Sequence, residues 1–147
     1  MDERIKEHLK RLNQYYLKLI ALRKVSHDNL VNDDIHYAAA ERWLQIAIES
    51  CLNIGNRLIS ILQIEKPVRT PESYADIFLI MRDLKIIDAE FSQRLVEMAK
   101  FRNRLVHIYW DLDAEMTYQI LQENLGDLKQ FQTAVVEFLN KKAAEQK

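Results

Sequence analysis

The sequence predicts an all-α protein, an antiparallel four-helix up-and-down bundle with one or two additional short helices. The 147 residues include only two Gly and two Pro, too few to punctuate a protein made of many strands and turns. Pro67 and Pro71 fall close together, so one loop takes most of the punctuation. Apolar residues recur at the three- and four-residue spacing of helices with one buried face. With 48% hydrophobic residues, a chain of this length buries a substantial core, and residues 1–147 read as a single helical domain.

The first helix spans about Glu3 to Lys24, with Ile5, Leu9, Leu12, Tyr16, Leu19 and Leu22 on one face and charged residues between them. Ser26 to Asn32 reads as a polar connector, and Asn32 or Asp33 opens a second helix that runs to about Gln63. That helix is apolar around most of its circumference, which predicts a central position. One narrow polar stripe survives on it, formed by Glu41, Gln45, Glu49, Asn53, Asn56 and Ser60 at helical spacing. Ile64 to Thr70 is a loop, after which Thr70 reads as an N-cap with Pro71 in the first turn of a short helix. Tyr74, Ile77, Phe78 and Met81 form the apolar face of this helix, which ends near Leu84 to Ile87. Asp88 caps the next helix, from about Ala89 to Tyr109, which stops around Trp110 to Asp113. A short helix then reaches about Gln122 and a longer one runs from about Leu125 into the charged tail, with Gly126 as a candidate break.

Composition narrows the function classes. Twenty-one basic and twenty-two acidic residues leave a formal charge of −1, which argues against a protein that coats nucleic acid through a uniformly basic surface. A single Cys51 cannot form an intrachain disulfide and fits a buried apolar role in a reducing cytoplasm. The charged start of the chain carries no signal-like apolar run, and no stretch approaches the roughly 18 apolar residues of a membrane span. No membrane partner is expected. His8, His27, His36 and His107 lack metal-ligand spacing, so no metal and no other cofactor is expected. Two glycines cannot build a phosphate-cradling loop.

Chemistry concentrates between Phe101 and Trp110. Counting about 100° per residue, Arg102 lies in the middle of an apolar stripe made of Phe91, Leu95, Met98, Leu105, Val106 and Tyr109. An unpaired charge in such a place costs several kcal/mol, so Arg102 must meet a carboxylate, a water-filled cleft, a second subunit or an anionic ligand. The carboxylates on offer are Glu49 and Glu41. A guanidinium also suits phosphate, whose oxygens match its planar fork of donors. His107 lies about 140° around the helix from Arg102, so the two diverge within one straight helix. Asn103 flanks His107 one turn earlier, and a twofold pairing of two such helices could bring Arg and His together. Between Arg94 and His107 the charges are Arg94, Lys100, Arg102 and Arg104 against Glu97, a local cationic excess that could attract a phosphate backbone. Acid-base work by a His supported by an Arg suits RNA cleavage, because the 2′-hydroxyl supplies the nucleophile.

Arg102, four residues, His107, one residue and Tyr109, with Asn103 directly after the Arg, resembles the signature of the HEPN superfamily and of its HepT-like toxins. The likeness extends to the helical order, to Glu41, Arg42, Gln45 and Glu49 on the second helix and to the Asp-rich turn after Tyr109, nearly the whole chain. It implies a homodimer whose composite cleft is a metal-independent endoribonuclease acting on RNA, with Arg102 and His107 catalytic and Asn103 and Glu49 supporting. It also implies that a partner nucleotidyltransferase antitoxin of the MNT type adds AMP to Tyr109 and silences the toxin, in a complex that can be larger than the dimer. Phosphates on Tyr109 would put anions where the substrate phosphate binds. The alternatives are a non-catalytic HEPN subunit that binds nucleotide or substrate for a nucleotidyltransferase, and a purely structural dimerisation module.

Overall fold

In the computed structural model, residues 1–107 and 114–146 are described. They form seven helices: α1 (Glu3–Leu22), α2 (His27–Asn32), α3 (Asp34–Leu62), α4 (Tyr74–Asp83), α5 (Ala89–His107), α6 (Ala114–Glu123) and α7 (Leu125–Glu145). The four long helices expected from the periodicity are α1, α3, α5 and α7. Three short helices accompany them, more than the one or two expected.

α3 packs against all six other helices, as its nearly continuous apolar surface requires. Its buried residues include Leu44, Ile48, Cys51, Leu52, Ile54, Leu58 and Leu62. α1 lays Ile5, Leu12 and Leu19 along it, each completely buried. Polar contacts give the helix directions. The Asp2 carboxylate caps α1 by accepting the N–H groups of Arg4 and Ile5, and accepts Arg57 Nη2 near the far end of α3 at 2.9 Å. At the opposite end, Lys18 Nζ lies 5.3 Å from the Trp43 ring, so α1 and α3 are antiparallel. The Arg57 bond leads the interactions that hold the Asp2 carboxyl down to about 2. Lys142 near the end of α7 reaches Glu65 just beyond α3, while Leu125 and Leu128 share a small cavity wall with Leu44 and Ile48. α7 therefore runs in the direction of α3 and opposite to α1.

Three boundaries differ from the sequence reading. Ser26 to Asn32 is not an open connector: Ser26 accepts the Asn29 N–H at 3.2 Å and residues 27–32 coil into α2, which buries Leu30. His27 of α2 pairs with Glu115 and sits edge-on to Tyr118, both on α6, and the Glu115 bond raises its pKa. These partners lie far away in sequence, which is why a local reading misses the helix. α4 begins at Tyr74 under a Ser73 cap, with neither Thr70 as cap nor Pro71 in its first turn. Here the Asp76 carboxylate accepts Arg69 through two 2.6 Å bonds and the Glu72 N–H at 2.9 Å, holding residues 69–72 out of the helix. The chain breaks between α6 and α7 at Asn124, while Gly126 lies inside the first turn of α7 with open space around it.

Asp88 caps α5 as expected, accepting the Phe91 N–H at 2.7 Å. α4 ends with Lys85 in the left-handed region at φ 61°. The Ile86 N–H bonds to the Met81 carbonyl and the Lys85 N–H to the Arg82 carbonyl, a Schellman closure made without glycine. α4 itself lies unusually close to α3 at Gly55. A Cβ there would sit 2.6 Å from Ile77 Cγ2 and 3.0 Å from Met81 Sδ.

That approach makes Gly55 the glycine the fold depends on. Gly55→Ala is expected to destabilise the protein by about 1–3 kcal/mol through overpacking. Gly126→Ala, free of neighbours, is expected to be neutral or stabilising by up to about 1 kcal/mol. Urea denaturation of the two variants checks the contrast.

Candidate functional site

α5 buries Phe91, Leu95, Val96, Ala99, Phe101 and Leu105 against the core, which fixes the rotation of its last two turns. Arg102 is carried inward with them. Its side chain is only 12% exposed, and it resolves the buried-charge conflict by pairing with Glu49 of α3. Nε and Nη2 donate to Glu49 Oε1 at 3.2 and 2.8 Å, and Gln45 Nε2 donates to the same oxygen at 3.1 Å. Nη1 donates to Asn103 Oδ1 at 3.3 Å, and the guanidinium lies over the Tyr74 ring, 4.7 Å from its centre. Glu41, the other acid on the polar stripe, takes no part. It lies in a separate recess with Arg42, Gln45, Leu105 and Val106, where burial raises its pKa.

His107 projects the other way and is exposed. With Asn103, Arg104, Asn56 and Tyr74 it lines an open groove of about 740 Å³, bounded on the far side by Thr70 to Ser73 and floored in part by Ile77. Tyr74 is the divider: its ring takes Arg102 and also lines the groove. The structure thus brings Asn103 and His107 together, and seats Arg102 with Glu49 behind the aromatic ring. The divergence of Arg102 and His107 expected from helical geometry is what the protomer displays. Tyr109, and with it Trp110, lies outside the described residues.

The cationic excess on α5 is smaller in practice than in sequence. Arg94 bonds to Glu90, Asp127 and Gln130, and Lys100 to Glu97, so both have acidic partners beside them. Arg104 Nη1 lies 3.4 Å from Met116 Sδ and also lines the groove.

Two groove residues escaped the sequence reading as site residues. Asn56 belongs to the polar stripe of α3, and its place on that stripe was the available signal. Tyr74 reads as part of an apolar helix face, yet it is 45% exposed. The loop that completes the groove is set by Arg69 and Asp76, whose pairing no local pattern announces. Among the described residues, no helix is long and apolar enough to cross a membrane.

Comparison with known proteins gives concordant results. The family model for HepT-like ribonucleases matches residues 5–135. The mRNA nuclease HepT of Shewanella oneidensis is 28% identical over 88 residues, 60% of this chain, and the match spans only 63% of that nuclease's length. The tRNA nuclease HepT of Aphanizomenon flos-aquae is 23% identical over 117 residues, 80% of this chain and 77% of that one. Among solved structures, the tri-AMPylated Shewanella oneidensis HEPN toxin in complex with MNT antitoxin superposes with a TM-score of 0.83 at 23% identity, covering 93% of this chain and 99% of that one. At that identity the superposition shows a shared fold.

The pairing of Arg102 with Glu49 gives a direct test of the site's architecture. Glu49→Ala should cost about 2 kcal/mol, because it strands a largely buried guanidinium. Combining it with Arg102→Met should recover much of the loss, since the uncompensated charge is then gone. A double-mutant cycle followed by urea denaturation measures the coupling.

Proposed function

Because the chain belongs to the HepT-like ribonuclease family, we propose that it is a metal-independent endoribonuclease toxin whose site is completed in a homodimer and silenced by AMP addition to Tyr109. The observation that carries this reading is the Arg102, Asn103 and His107 set, which falls inside the matched span with His107 exposed on an open groove. His107 is the proton-transfer group: as base it accepts the proton of the 2′-hydroxyl, and as acid it protonates the departing 5′-oxygen. The 2′-oxygen bonds to phosphorus as the bond to the 5′-oxygen breaks. Arg102 balances the charge that builds on the phosphoryl oxygens, and Asn103 and Glu49 orient it. One histidine cannot easily serve both ends of an in-line displacement. A twofold pairing supplies a second, and it would allow Arg102 of one protomer to work beside His107 of the partner subunit.

The names of the curated relatives support RNA as substrate, one being an mRNA nuclease and the other a tRNA nuclease. The superposed toxin was captured tri-AMPylated and bound to an MNT antitoxin, which supports a nucleotidyltransferase partner for this chain and a larger complex with it. Tyr109 follows His107 by two residues, so phosphates attached there would compete with the substrate phosphate near the proton-transfer group. An RNA target is in keeping with action in the cytoplasm.

Two measurements test this. Purified protein free of AMP should cleave total RNA in the presence of a chelator, and Arg102→Ala or His107→Ala should lower the rate by about 100-fold or more. Equal activity of the three proteins would overturn the proposed site. After coexpression with a nucleotidyltransferase antitoxin, the intact mass should rise by whole AMP units, and Tyr109→Phe should abolish the increase. A modified Tyr109→Phe protein would move the modification elsewhere.

A further inference from the structure

Beside His107, the groove contains an aromatic ring that the cleavage chemistry leaves without a task. Tyr74 is 45% exposed and lines the groove, while Arg102 lies over one face of its ring. The ring is held on a firm shelf. Ser73 caps the helix it begins, and the Arg69 to Asp76 bonds anchor the chain just before it. Asn56 and Asn103 place carboxamides on the same groove, and Asn103 has its oxygen engaged by Arg102, which leaves its amide as a donor. Charge is divided across the groove: Arg104 lies on the α5 wall beside His107, and Glu72 lies on the loop side. A phosphate is favoured at the α5 wall, and an uncharged group is favoured toward the loop.

We propose that Tyr74 is the stacking platform for an unpaired RNA base next to the cleaved phosphate, with Asn56 and Asn103 bonding to the base edge. Single-stranded RNA is bound in this way, by stacking of unpaired bases on aromatic side chains and hydrogen bonds to their edges. The cation over the opposite ring face fixes the ring's orientation. The proposal rests on the reading of the chain as an RNA-cleaving enzyme, and it assigns Tyr74 to binding and specificity, leaving proton transfer to His107.

The test uses the full chain carrying His107→Ala, and fluorescence anisotropy with a labelled single-stranded RNA. Adding Tyr74→Leu should weaken binding roughly tenfold, while Tyr74→Phe, which keeps the ring, should stay within about twofold. Binding of a blunt RNA duplex should not respond to either change, because its bases cannot reach the ring. In the otherwise unsubstituted protein, Tyr74→Leu should raise KM by a larger factor than it lowers kcat. Undiminished RNA binding by a Tyr74→Leu variant of unchanged circular dichroism would overturn the proposal. So would a loss that follows dissociation of the dimer in size-exclusion chromatography, which would make the groove a protein interface. If the unsubstituted protein cuts no RNA, the functional reading fails, while the binding comparison still decides whether Tyr74 stacks on bases.

Discussion

A single cation set among hydrocarbon organises this molecule. Arg102 rides on the face that α5 must bury, and the fold can keep it there only by supplying an anion from another element. Glu49 does so from the middle of α3. The requirement propagates: Gln45 supports the carboxylate, Asn103 takes the remaining arm of the guanidinium, and Tyr74 is drawn beneath it from α4. Three helices are thereby referred to one charge. Gly55 lets α4 come close enough to α3 for this meeting, because the space where a Cβ would sit is taken by Ile77 and Met81.

The motif residues then separate into two environments. Arg102 is inside the protomer, and His107 and Asn103 face the groove. Within one chain the two side chains do not converge. The proposed twofold assembly would reconcile them: each protomer would present a pre-oriented cation and an outward imidazole, one of each on either side of the phosphate. The chain belongs to the HepT-like ribonuclease family and shares the fold of a HEPN toxin.

Much of this was legible in the sequence for identifiable reasons. Long amphipathic stretches with few glycines and prolines fix the four main helices, because one buried face per helix is a local property. The polar stripe on α3 reveals itself against a hydrophobic background and offers Glu41 and Glu49 as partners for Arg102, between which only the folded structure selects Glu49. What escaped depends on contacts between distant residues. α2 is stabilised by Leu30 and by the bonds of His27 to α6. The start of α4 is decided by Asp76 pulling Arg69 and Glu72 toward itself, against a Thr-Pro sequence that favours an earlier start. Tyr74 has the spacing of the apolar face of α4, and only the position of Arg102 and of the loop shows it to be half exposed.

Cys51 lies at the centre of α3 with no exposed surface, and burial pushes its thiol far above the ordinary value. The native sulfur is therefore silent toward alkylating and spin-labelling reagents that need a thiolate. It is also the chain's one cysteine. A cysteine introduced on the groove rim would be the single reactive sulfur per protomer, with no background to remove. In the proposed homodimer, two such identical labels would report directly on how far apart the two grooves stand.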